Sequence, residues 1–311
     1  MAGGKPPSGA STAPDRLERQ RLRAAALNAR AQQIADRAAK ERSQHPSVDA
    51  LFEIFDRDAE VGGGLIAGAL AYRLFIWLLP FALVMVAGVG IAADAASTSP
   101  SGAAGSLGLS GLVSRSVASA AEGSSRWYAL LVGIPILLWA TRSLLRALIA
   151  TYRLVWTDLR DAAPRPTAAA TVRLLVLILC MFLVSGAAAS ARSWSGVAGL
   201  IASLAVTIAY AGFWLLITVQ LPHRGVGWHE LIPGAALFGI GVDVLQVAAV
   251  YILGPMALSK QGTYGALGIA AALLLGLFVL GRVIVGAADV NATLADRRGR
   301  SDAQVEGSDG G

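Results

Sequence analysis

The chain has 311 residues, of which 55% are hydrophobic and only 15% charged, with a formal net charge of +6. Soluble domains carry roughly 25% charged residues, and here nearly all the charge lies outside long apolar runs, so an ordinary soluble protein is excluded. The single cysteine, Cys180, rules out an intrachain disulfide and reads as a small side chain within an apolar run.

Residues 1–46 form a charged N-terminal extension. Gly, Pro, Ser and Ala dominate the first fourteen positions and read as a disordered tail. Residues 15–45 are rich in helix formers and carry eight basic and four acidic residues. Interleaved charge of this kind predicts a solvated helix that suits anionic lipid or a protein partner, and it argues against nucleic acid. The extension has no apolar core of a signal peptide, so the first spanning segment is expected to serve as its own insertion signal. Residues 47–61 read as an amphipathic helix lying along the membrane interface. Val48, Leu51, Phe52 and Phe55 recur at helical spacing, opposite Asp49, Glu53, Asp56 and Glu60.

Residues 62–294 form the membrane domain. Gly62, Gly63 and Gly64 make a hinge into the first of six apolar stretches, at about 64–92, 127–156, 168–190, 197–221, 231–253 and 264–290. Each reaches the roughly 20 residues that a spanning helix needs. A Ser/Gly/Ala-rich loop over 93–126 separates the first two, and its 107–121 portion reads as a short surface helix. Gly254 and Pro255 are expected to end the fifth span, and residues 295–311 read as a disordered polar tail. The fold class is therefore all-α, a polytopic helix bundle. With the N-terminus inside, cytoplasmic segments hold ten Lys or Arg before the first span, two after the second, one after the fourth and three at the end. The opposite side holds only Arg115, Arg126, Arg192 and Lys260, so both termini are expected in the cytoplasm.

Several local patterns resemble the YihY/BrkB family of inner-membrane proteins, once mislabelled ribonuclease BN. The first span reads GALAYRLFIWLLPFALV, with Pro80 at its centre. The fifth opens LIPGAALFGIGVDVLQ, and the sixth runs from Tyr264-Gly265 to the Asp289-x-Asn291 pattern near its end. The resemblance covers roughly residues 48–294. Arg73 stands where many members carry an aromatic residue, and Asp289 replaces a usual Glu. The family implies six spans in a bacterial cytoplasmic membrane and an envelope role, with no established reaction.

Ionisable groups at membrane depth cost about 2.5–3.5 kcal/mol each on insertion scales and normally face protein or water. The candidates are Arg73, Arg142, Arg146, Asp243 and Arg282. At 1.5 Å per residue Arg73 lies about 15 Å and Asp243 about 18 Å from the inner end of their spans. Their level and opposite sign predict contact between the first and fifth spans, which packing alone would also explain. Arg146, Arg153 and Arg282 are near enough to the inner surface to snorkel. Arg142 is deeper and has no acid at its level, so it is expected to meet an anionic ligand. These residues point to an arginine-lined cavity in the inner half of the bundle. The corresponding function is transport or flipping of an anionic, lipid-like envelope component, or alternatively a small anion. The competing reading is a scaffold whose N-terminal helix docks a protein partner.

Other patterns carry less. His223, His229 and Glu230 lack the spacing and further ligands of a metal site and read as solvated loop residues. Gly64 with Gly68, and Ala235 with Gly239, are small-xxx-small pairs suited to close helix contact. Pro80 and Pro135 fall inside spans, where they are expected to kink the helix. The clustered acids or metal of a nuclease are missing, as are phosphate loops and nucleophile elbows. The expectation is a non-enzyme that needs no cofactor or metal.

Overall fold

A computed structural model describes residues 46–95, 126–157, 164–191, 197–249, 251 and 266–309. The extension before residue 46, most of the 93–126 loop and the Gly254-Pro255 break lie outside the described residues. Two compact units divide the chain, 1–53 and 54–311. The described part of the first is the opening half of a helix, α1 (Pro46–Val61), whose second half belongs to the larger unit. Leu51 and Phe55 stand exposed along one face of α1, as the amphipathic pattern predicts.

Six long apolar helices follow: α2 (Gly63–Ala95), α3 (Arg126–Val155), α4 (Ala168–Ala191), α5 (Val197–Thr218), α6 (Ile232–Ala248) and α7 (Ala266–Asp309). A 3-10 turn, Trp228–Leu231, leads into α6. All six, α6 together with the 3-10 turn before it, give segments long and apolar enough to cross a bilayer, and no strand occurs among the described residues. Their outward faces are apolar too, with Leu65, Leu79, Leu131, Leu200 and Ile240 all exposed. A helix apolar on every side is the signature of a membrane span. Pro80 and Pro135 both lie within helices, as expected.

The six helices pack in a ring, in the order α3, α2, α7, α6, α5, α4 and back to α3. The α3–α4 seam carries the least contact of the six, and α7 also reaches across to α3. Close approaches centre on glycine. At Gly281 of α7 a Cβ would lie 2.6 Å from the Ala67 carbonyl oxygen of α2, and at Gly239 of α6 it would lie 2.7 Å from the Thr207 carbonyl oxygen of α5. Gly239 thus behaves as its small-xxx-small pattern predicts. Gly64 and Gly68 do not: nothing lies within 4 Å of a Cβ at either, so this pair mediates no helix contact among the described residues. A small-residue pattern shows that a helix face is smooth, and the neighbour's position decides whether the face is used.

One difference from the sequence reading concerns the end of an element. The polar tail over 295–311 is helical as far as Asp309, because α7 continues unbroken past the apolar stretch. Its extension is held by ion pairs: Arg57 of α1 pairs with Asp296, Arg224 reaches the same carboxylate at 3.3 Å, and Arg298 lies 3.8 Å from Glu230. Side-chain partners of this kind add to the helix-forming character of the segment.

Candidate functional site

Height along a span is legible from sequence, but direction around the helix axis is set by which neighbours pack against it. The five charged candidates show the difference. Arg73 is exposed on α2 and donates to the Ser143 hydroxyl of α3. Asp243 of α6 is half-buried and accepts from the Thr207 hydroxyl of α5 at 3.3 Å. The predicted contact between Arg73 and Asp243 is not made. α7 packs against both α2 and α6, which hardly meet each other, so two groups at one height are held apart. Arg282 turns to the end of the bundle where α2 begins and binds Asp58 of α1 through both guanidinium nitrogens, at 2.8 and 2.9 Å.

Arg142 and Arg146 share one face of α3. Both are exposed, and neither makes a hydrogen bond or ion pair among the described residues. Leu144 and Leu148 of the same helix line the interior. A separation of two residues rotates a helix position by about 200°, so the two arginines face away from that interior.

The interior is a cavity of about 240 Å³ touched by all six spans, through Trp77, Leu144, Phe182, Trp214, Phe238 and Leu280 among others. Its walls carry stacked aromatic rings, Trp214 and Phe238 at a centroid distance of 3.9 Å, and Trp77, which stacks at 4.7 Å on Phe81 outside the cavity. Its polar edge is one group: Gln246 Nε2 donates to Ser185 Oγ at 3.0 Å and to the Tyr210 hydroxyl. A second space of about 300 Å³ lies among α2, α3 and α4, lined by apolar residues including Phe81, Val84, Ile134 and Leu175. No arginine lines either space. The expectation of an arginine-lined cavity is therefore corrected: the cavity is apolar, and Arg142 and Arg146 lie on the outer surface.

Sequence reasoning missed the cluster at the end of the bundle where α2 begins. Gly63 makes room for the Asp58–Arg282 pair, since a Cβ there would fall 1.9 Å from Asp58 Oδ1. Asp289 of α7 is fully buried nearby, and neither of its oxygens has a hydrogen-bond donor among the described residues. Arg224 also donates to the Thr157 hydroxyl at 2.6 Å, tying two left-handed residues together at φ 50° and 48°. The sequence signals for this region were Arg282, singled out for its charge at membrane depth, and the Asp289-x-Asn291 pattern. Asn291 is fully buried, and its Oδ1 accepts from the Gly234 N–H at 2.7 Å. That N–H belongs to the first turn of α6, where no intrahelical partner exists. Two of the patterns behind the family resemblance therefore meet in one hydrogen bond.

Among the loop residues, the His229 ring lies 3.6 Å from that of Trp228, His223 Nδ1 is 2.6 Å from the Leu221 carbonyl oxygen, and Glu230 faces Arg298. These three side chains are thus directed to separate partners.

Six apolar helices ringed about an apolar interior, with apolar outer faces, define a multi-pass α-helical membrane protein. Residues 54–309 match the family model described as "Virulence factor BrkB", and the chain belongs to that family. No curated protein and no solved structure matches the chain.

Proposed function

We propose that this protein binds an anionic amphiphile of the cell envelope and moves it between the leaflets of the cytoplasmic membrane, with both termini in the cytoplasm. The observation that carries the reading is the pair Arg142 and Arg146, exposed in the middle of α3 and without partners among the described residues. A guanidinium facing hydrocarbon is costly, and a lipid phosphate matches its fork of donors bidentately. In this reading the two arginines, with Arg153 about two turns further along the same helix, form a track for the headgroup. The apolar cavity and the thin α3–α4 seam beside it accommodate a hydrocarbon chain. The headgroup travels outside the ring and the chain partly within it. No bond is made or broken, and the reading needs neither cofactor nor metal.

The scaffold reading assigns the same arginines to a partner protein. Native mass spectrometry of the purified full-length protein with added phosphatidylglycerol or phosphatidylcholine separates the two. Selective retention of the anionic lipid, lost in Arg142→Gln and Arg146→Gln, is expected. Equal retention of both lipids, or retention indifferent to the two substitutions, overturns the proposal in favour of a scaffold.

A further inference from the structure

Asp289 is the one fully buried acid among the described residues, and its two oxygens have no donor. The charged and titratable groups facing it are Asp58 and Arg57 of α1, Arg282 of its own helix and Tyr152 of α3. Each nearby guanidinium is already engaged. Arg282 holds Asp58 through two bonds, while Arg57 and Arg224 share Asp296. The Tyr152 hydroxyl is occupied with Thr218 at 3.3 Å. Asp289 therefore faces another carboxylate, and two ionised carboxylates offer four acceptor oxygens and no hydrogen. An ionised carboxylate left unpaired in such a place costs many kcal/mol, and the usual resolution is to bind a proton.

We infer that Asp289 is a proton-binding site, its carboxyl hydrogen donated to Asp58 while Asp58 is clasped by Arg282. The proton comes from water and returns to water, so no co-reactant is needed. Loss of the proton leaves two carboxylates competing for the Arg282 guanidinium, which loosens the tie between α1 and α7. Gly63 lies against both Asp58 and Arg282, at the point where α2 begins. Proton binding is thereby linked to how the first and last spans are held at this end of the bundle. This inference stands whether or not the protein moves a lipid.

Infrared difference spectroscopy of the full-length protein in lipid vesicles, titrated from acid to alkaline pH, tests it. The carbonyl stretch of a buried protonated carboxyl is expected at neutral pH, to vanish on alkalinisation, and to be missing from Asp289→Asn but present in Asp243→Asn. Asparagine imitates the protonated form and should fold. Should it fail to, Asp58→Asn reports on the intact Asp289. Removing the neighbouring charge and freeing Arg282 both favour the ionised form, so the band should bleach at lower pH than in wild type. A band unchanged by both Asp289→Asn and Asp58→Asn overturns the inference. So does a wild type that shows no such band at neutral pH.

Discussion

Replacing glycine by alanine at positions 234 and 68 should change stability in opposite directions, although both glycines lie in apolar helices. At Gly234 the new Cβ would sit 2.2 Å from the Ala287 carbonyl oxygen and 2.5 Å from Asn291 Nδ2. Weak C···O contacts settle near 3.3–3.6 Å, so α6 and α7 must separate by roughly 1 Å. Overpacking of this kind costs about 1–3 kcal/mol. Separation also lengthens the 2.7 Å bond from Gly234 N–H to Asn291, which contributes about 1 kcal/mol. Against this, alanine gains at most about 1 kcal/mol in helix propensity. The net expectation for Gly234→Ala is a loss of about 2 kcal/mol. At Gly68 the added methyl meets nothing within 4 Å, so only the propensity gain of about 0.5–1 kcal/mol remains. Unfolding in mixed micelles, followed by circular dichroism against the mole fraction of denaturing detergent, measures both. Destabilisation of equal size at the two positions would refute the assignment of Gly234 as the α6–α7 contact.

The remaining predictions concern charge. Arg73→Ala and Asp243→Ala should be additive in the double mutant to within about 0.5 kcal/mol, because the two groups belong to different helix contacts; rescue by a charge swap in the same unfolding assay would show otherwise. Asp58→Asn and Arg282→Gln should each lower stability by about 1–3 kcal/mol, since the pair is only partly shielded, and the double mutant should lose much less than the sum. Reporter fusions after residue 60, within 158–166 and after Arg300 should read cytoplasmic, and those within 100–122 and at Lys260 external. A cytoplasmic signal from 100–122 would contradict the proposed orientation.

The spans were legible because a bilayer demands long uninterrupted apolar helices, and the limits of α3, α4 and α5 fall within a few residues of their hydropathy limits. Ring order was not legible, because the outward faces are as apolar as the inward ones. Arg142 and Leu144 look alike in depth, yet the packing of neighbouring helices sends one outward and the other into the cavity. The same limit hid the separation of Arg73 from Asp243. Asp58 escaped notice although helical spacing sets it seven residues after Leu51 and three after Phe55, beside the apolar stripe of α1 and away from its acidic face; its pairing with Arg282, 224 residues away, explains that place. The start of the polar extension of α7 has partners from α1 and the α5–α6 connection, at Asp296 and Arg298, that a local reading of its composition does not see. Gly234 and Asn291 lay in two separate patterns, and nothing in either showed that they bond to each other.

The central claim, that Arg142 and Arg146 guide an anionic headgroup across the membrane, is tested most directly by lipid movement in reconstituted vesicles. Fluorescent phosphatidylglycerol and phosphatidylcholine are placed in both leaflets, and the fraction open to a membrane-impermeant quencher is followed with time. The account predicts protein-dependent exposure of phosphatidylglycerol well beyond that of phosphatidylcholine. It also predicts that this exposure is lost in the Arg142→Gln, Arg146→Gln double variant at unchanged folded yield. Wild-type vesicles that expose neither lipid faster than protein-free vesicles, or a double variant that moves phosphatidylglycerol as fast as wild type, would contradict it.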